Sequence, residues 1–92
     1  MPSSIPEFKY GTISYSSSTD TADYKAWSAM FTNVSASDGA KYTAEVLAKG
    51  FVQTDTMTTN GITVTSYENG TYRLTLSLDS GSNGATVDVG LK

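Results

Sequence analysis

The sequence contains no cysteine and no histidine, and both absences limit the chemistry that the chain can perform. Without cysteine, the chain can form neither a disulfide nor a thiolate metal site. Without histidine, it lacks the commonest general base and the commonest zinc ligand. A nucleophilic serine would need a lysine as its base, and the spacing pairs no lysine with a particular serine. We therefore expect a protein that is not an enzyme and that holds no cofactor and no metal ion.

Charged residues are also scarce. They make up 16% of the 92 residues, whereas the average for soluble domains is about 25%. The six basic residues are scattered and the net charge is −3, so the clustered Lys and Arg of a nucleic-acid-binding surface are missing. No apolar run approaches the ~20 residues of a membrane-spanning helix. The sequence therefore predicts neither nucleic acid nor a membrane as a partner.

Serine, threonine, glycine, asparagine and tyrosine take the place of the charged residues. A surface hydrated by hydroxyl groups rather than charges suits paratopes, extracellular modules and assembled particles. The N-terminal segment MPSSIPEFKYG has neither the basic nor the apolar region of a signal peptide, which predicts synthesis in the cytoplasm without a signal peptide. Incorporation into a virion fits both observations. A trimmed secreted domain with an added initiator methionine fits the composition equally well.

The strongest local pattern lies in Gly61–Leu78, where two alternating runs flank Asn69-Gly70, a dipeptide typical of β-hairpin turns. A two-residue turn there would place the aliphatic residues of the two runs on opposite faces of the hairpin. A three-residue turn that begins at Glu68, with its glycine in the left-handed conformation, would place them on one face. We therefore predict the three-residue turn, which pairs Val64 with Leu74. The apolar face then consists of Ile62, Val64, Leu74, Leu76 and Leu78.

Two further segments predict a third strand beside the hairpin and one helix. Ala85–Leu91 alternates and extends the hairpin to three strands. Ser35–Gly50 is the clearest helix, because Ser35-x-x-Asp38 resembles a capping box and Gly50 suits the first position after a helix. The predicted buried stripe of this helix consists of Ala40, Thr43 or Ala44, Leu47 and Phe51, with Val46 beside it.

The remaining segments are less regular. Phe8–Tyr15 is rich in aromatic and β-branched residues, which predicts a strand, and Ser16–Thr21 is a predicted polar loop. Asp23–Val34 fits an amphipathic helix by spacing and a strand by residue type. We predict the strand and keep the helix as the alternative. Val52–Asn60 is a polar connector that either extends the helix exit or forms an edge strand.

The expected fold is α+β, with an antiparallel sheet of about five strands and one amphipathic helix packed on one face. The predicted element order is ββαβββ, and βααβββ is the alternative if Asp23–Asn33 is helical. Residues 8–92 form the single predicted domain. Residues 1–7 precede it as an extended arm, because Pro2 and Pro6 stand among serines.

Five residues are the predicted contacts with protein partners, including a second copy of the chain: Ile5, Phe8, Tyr10, Tyr67 and Arg73. Ile5 and Phe8 are apolar enough for the arm to dock on a neighbour, although a frayed terminus is the simpler interpretation. Tyr67 and Arg73 lie on the predicted hydroxyl-rich face of the hairpin, and both residue types are enriched at interface cores. The alternative for this face is an ordinary solvent-exposed sheet surface.

These observations favour a non-enzymatic structural or assembly protein that acts through protein–protein contacts. A small phage or virus particle component is the interpretation that best fits the composition. The alternative is a small acidic protein-binding module, such as a phage-encoded inhibitor of a host protein.

Overall fold

The computed structural model describes residue 5 and residues 8–21 and 25–91, which form one antiparallel sheet of six strands and one helix. Along the sheet the strands lie in the order β1-β2-β6-β5-β4-β3. The predicted α+β class is confirmed. The sheet has six strands rather than five, because the polar segment after the helix forms an edge strand. In chain order the elements are β1 (Thr12–Asp20), β2 (Lys25–Thr32), α1 (Ala36–Ala48), β3 (Val52–Thr59), β4 (Ile62–Glu68), β5 (Tyr72–Asp79) and β6 (Gly84–Leu91).

The ambiguous segment Asp23–Val34 contains a strand, as predicted. β2 lies between β1 and β6, and residues 22–24 lie outside the described part of the chain. A strand suits this sequence because its alternate side chains then face the helix. Ala29 and Phe31 are buried there, and Trp27 packs partly buried against the same core.

The predicted position of the first strand is wrong. β1 begins at Thr12 rather than Phe8, and it continues to Asp20 through the predicted polar loop. Serines and threonines suffice for this edge strand because its pairing with β2 uses backbone groups. Phe8 lies outside the sheet because its ring packs in the core. The ring centroid of Phe8 is 4.4 Å from that of Phe31 and 4.7 Å from that of Tyr42.

The helix begins and ends at the predicted residues. The Ser35 hydroxyl accepts a hydrogen bond from the Asp38 N–H, and the Asp38 carboxylate accepts one from the Ser35 N–H, both at 3.2 Å. Gly50 follows the last turn with φ of 91°, a conformation that glycine adopts without steric cost. The capping box and Gly50 therefore set where α1 begins and ends in the chain between β2 and β3.

The predicted buried stripe of α1 is displaced by one residue. Gly39, Tyr42 and Val46 face the sheet, whereas Ala40 and Leu47 are exposed. Gly39 allows the helix to approach the sheet closely, since a Cβ at this position would lie 2.7 Å from Leu78 Cδ1. The large Tyr42 side chain then fills the core, and this placement determines the rotation of the helix about its axis.

The predicted hairpin register is also wrong. Tyr67 pairs with Leu74, so the three-residue turn and the pairing of Val64 with Leu74 do not occur. The Asn69 side chain accepts hydrogen bonds from the N–H groups of Thr71 and Tyr72, at 2.8 and 2.7 Å. The backbone N–H of Asn69 also donates to the Tyr72 carbonyl, so the turn extends over four residues. This turn places Tyr67 on the same face as Leu74 and turns the aliphatic residues of β4 to the other face.

The core lies between α1 and the sheet. Ile5 is part of it, so this residue of the predicted arm 1–7 packs within the domain, while residues 1–4, 6 and 7 lie outside the described part. The buried core residues are Ile5, Phe8, Ala29, Phe31, Val34, Tyr42, Val46, Phe51, Tyr67, Leu74, Leu76, Ala85, Val87 and Val89.

Candidate protein-contact surface

The side of the sheet that faces away from α1, here called the outer face, is formed by alternate residues of all six strands. Within residue 5 and residues 8–21 and 25–91, no helix or second sheet layer covers it. The cross-strand pairs show its composition, because directly paired residues project to the same face. One continuous row across the six strands consists of Tyr15, Met30, Thr86, Ser77, Val64 and Met57.

Exposed apolar side chains are concentrated on the outer face. Val64 of β4 pairs directly with Met57 of β3, and Ile62 lies diagonally beside Met57. Met57 is 64% exposed, in spite of this contact. Single exposed apolar residues are normal on protein surfaces, but a contiguous group indicates an interaction site more often. The exposed large apolar residues on this face are Tyr15, Met30, Val52, Met57, Ile62 and Val64.

The charged groups of the outer face bind partners within the chain. The Arg73 Nε atom lies 3.6 Å from the Glu68 carboxylate on the neighbouring strand. The Ser28 hydroxyl donates to the Asp88 carboxylate at 2.6 Å. The Asp55 carboxylate accepts a hydrogen bond from the N–H of the next residue at 2.8 Å. Hydroxyl and apolar groups therefore dominate what this face presents to a partner.

Asp79 has a structural role at the end of β5. Its carboxylate accepts hydrogen bonds from the backbone N–H groups of Gly81 and Ser82, at 2.9 and 3.4 Å. The Gly81 bond is the main cause that lowers the pKa of Asp79 below its ordinary value, and Ser82 adds to it. The carboxylate thus stabilises the turn between β5 and β6 in its charged form.

Three of the five predicted contact residues lie together on the helix side. Ile5 and Phe8 are buried in the core, and Tyr10 packs against it. The Tyr10 hydroxyl donates a hydrogen bond to the Glu45 carboxylate, and this bond is the main cause that raises the pKa of Tyr10. Lys9 lies 3.9 Å from the same carboxylate. These contacts hold Lys9 and Tyr10 on the chain's own helix.

The other two predicted residues are separated by the sheet. Tyr67 was expected on the outward hydroxyl-rich face, and that placement is wrong, because its side chain is 1% exposed and faces α1. Its hydroxyl lies 3.5 Å from the Thr43 hydroxyl of the helix. A side chain so deeply buried presents no surface to a partner. Arg73 does lie on the outer face, as predicted, with its side chain exposed.

A groove of about 910 Å3 opens on the helix side, between the N-terminal residues and the β1–β2 hairpin. Phe8 and Tyr42 on its walls already pack against each other, and Ile13, Ser16 and Trp27 also line it. A smaller depression of about 460 Å3 lies on the outer face, lined by Ser28, Arg73 and Asp88 among others. Within the described residues no group of three or more Asp and Glu side chains could hold a metal ion.

Sequence reasoning missed the apolar residues of β3 and β4 on the outer face. Val52 and Met57 are five positions apart, so simple alternation would place them on opposite faces. An irregularity in the β3–β4 pairing between Gln53 and Asp55 shifts the phase and brings both to the outer face. In β4, the position of Tyr67 was the available signal. Tyr67 lies an odd number of residues from Ile62 and Val64, so it points to the opposite face of the strand. Either the tyrosine or the aliphatic pair therefore had to face away from the core.

In the described part of the chain, no helix is both long enough and apolar enough to cross a membrane. Comparison of the chain with protein-family models, with curated proteins and with solved structures finds no match.

Proposed function

We propose that this protein is a non-enzymatic assembly component that associates with further copies of itself through the outer face of its sheet. The observation that carries the proposal is the apolar group formed by Met57, Val64 and Ile62 on that uncovered face. Burial of such side chains between chains supplies the main driving force of protein association.

The distribution of polar groups supports the same conclusion. Charged groups that already have partners in the chain are not left unpaired when a second protein covers them, which avoids the largest penalty for burying a charge. The many hydroxyls of this face can donate and accept hydrogen bonds without carrying charge into an interface. Incorporation into a phage or virus particle stays a prediction from composition.

Light scattering on a concentration series tests the proposal, with Val64→Lys as the test variant and Leu47→Lys as its control. Both replace an exposed apolar side chain by lysine, but Leu47 lies on the solvent side of α1. We expect the mass of the unmodified chain to rise above 9.7 kDa between ~10 and ~500 µM, the micromolar range expected for a small interface. Val64→Lys should remain monomeric, and Leu47→Lys should behave like the unmodified chain.

Met57→Lys provides a second test variant. Met57 is more exposed than Val64, so we expect its replacement to leave the fold intact. Circular dichroism of all three variants checks that they fold. Equal loss of association in Leu47→Lys and Val64→Lys would contradict the assigned surface. A chain that is monomeric at every concentration would contradict self-assembly. The small acidic module that binds another protein would then be the better account.

A further inference from the structure

Both edge strands of the sheet, β1 and β3, are exposed at every residue whose side chain is described. The strand that adjoins the apolar group of the outer face, through the pairing of Met57 with Val64, is β3. All eight residues of β3 are exposed, those that point to the helix side as well as those on the outer face. One side of its backbone pairs with β4, and no described strand pairs with the other side. Unpaired N–H and C=O groups along an edge strand are a template for pairing with another chain.

β3 also has few of the features by which edge strands usually prevent such pairing. Its sequence VQTDTMTT contains no proline, no lysine and only one charged residue, Asp55. The irregularity in its pairing lies near its start, between Gln53 and Asp55. The segment from Asp55 to Thr59 is therefore regular and available for pairing.

We propose that two copies of the chain pair through β3 in antiparallel orientation, with Met57 opposite its own copy. This inference goes beyond the proposed function, because it adds an edge-to-edge contact to the contact through the outer face. Two identical antiparallel strands are related by a two-fold axis perpendicular to the sheet, which keeps the outer faces of both copies on the same side. The axis passes between one residue of β3 and the same residue of the second copy, so these two residues lie directly opposite each other. The candidates for that residue are those of the regular segment.

Charge and apolar contact select Met57 among these candidates. An axis at Asp55 would place two carboxylates opposite each other, which is destabilising. An axis at Thr56 would place each Met57 opposite an Asp55. An axis at Thr58 or Thr59 would place Met57 opposite Thr59 or Gly61, so that the two methionines would not meet. With the axis at Met57, each Asp55 faces a Thr59, and Met57 meets Met57 on the outer face.

This register joins the apolar groups of the two copies. Val64, Met57 and their counterparts in the second copy then form one row across four strands spaced about 4.8 Å apart. Ile62 of each copy lies diagonally beside the row. The interface is small compared with the ~1,200 Å2 at the low end of specific complexes, so we expect the dimer to dissociate in the micromolar range.

Disulfide trapping tests the register, because the chain has no cysteine of its own. Directly opposed residues in an antiparallel pair have Cα atoms about 4.5–5.5 Å apart, within the range that a disulfide spans. Met57→Cys should therefore cross-link to itself under mild oxidation. Asp55→Cys alone and Thr59→Cys alone should not, because each would lie about 13 Å from its own copy.

A mixture of Asp55→Cys and Thr59→Cys should give the mixed disulfide while keeping Met57 intact. We expect Met57→Cys to cross-link at least about tenfold faster than Tyr15→Cys on the opposite edge, because paired thiols have a millimolar effective concentration. If light scattering shows association but Asp55→Cys cross-links to itself, or Met57→Cys is no faster than Tyr15→Cys, this register is wrong and the proposed function stands. A chain that neither associates nor cross-links would contradict both.

Discussion

On the helix side of the hairpin β4–β5, Tyr67 and Leu76 are each 1% exposed, whereas on the outer face Ile62 and Val64 of the same hairpin are 40% and 37% exposed. Both sets consist of large side chains in regular strands, and they differ only in what lies above them. Helix α1 covers the first set. The second set has no cover within the described residues.

The comparison shows that β4 alone does not determine which of its faces is buried. Its sequence ITVTSYE offers two aliphatic residues to one face and one tyrosine to the other. The structure buries the tyrosine, because the turn at Asn69 fixes a register in which Tyr67 joins the leucines of β5. The aliphatic pair left outside is what makes the outer face a candidate contact surface.

The largest expected difference between the faces concerns stability. Leu76→Ala should lower the free energy of unfolding by about 2–4 kcal/mol, because it opens a cavity in a closely packed core. Val64→Ala, on the neighbouring strand, should lower it by less than ~1 kcal/mol, since its side chain is partly hydrated in the monomer. Urea denaturation at a concentration where the chain is monomeric measures both. Similar losses in the two variants would show that the outer face is packed in the monomer as well.

The smallest expected effect concerns the turn after β5. The pKa of Asp79 is lowered in the folded chain, so its carboxylate stabilises the fold above the ordinary pKa of about 3.9, and this contribution is lost as the pH falls through the lower folded value. Asp79→Asn should therefore destabilise the chain slightly at neutral pH. The difference from the unmodified chain should shrink as the pH falls below about 3.9 and disappear once the pH lies below the lowered pKa of Asp79. Urea denaturation at neutral pH and at a series of acidic pH values checks this, and a difference that persists in acid would show that the charge is not its cause.

Residues that act locally could be predicted from the sequence. Ser35, Asp38 and Gly50 fix the ends of α1 through contacts within one turn of chain, and all three have the predicted role. The predicted strand after residue 23 was also found, since aromatic and β-branched residues favour strands whatever their partners are. The α+β class followed from these elements.

The parts that depend on distant contacts could not be predicted. The rotation of α1 depends on the space that Gly39 leaves for Leu78, which is 39 residues further along the chain. Phe8 lies outside the sheet because Phe31 and Tyr42 receive its ring. For the candidate surface, Arg73 was placed on the outer face, whereas Met57 lay in a segment whose alternation is interrupted by the irregular pairing of β3.

Amide hydrogen exchange at low and high protein concentration tests most directly whether two copies of the chain pair through the edge strand β3. The two edge strands serve as each other's control, because β1 and β3 are both unpaired on one side within the described residues. We predict that the amides of Asp55–Thr59 that point away from β4 exchange about fivefold more slowly once ~80% of the chain is dimeric, while those of β1 do not change. Slowing in β1 alone, or equal rates at both concentrations in a chain that associates, would contradict this account.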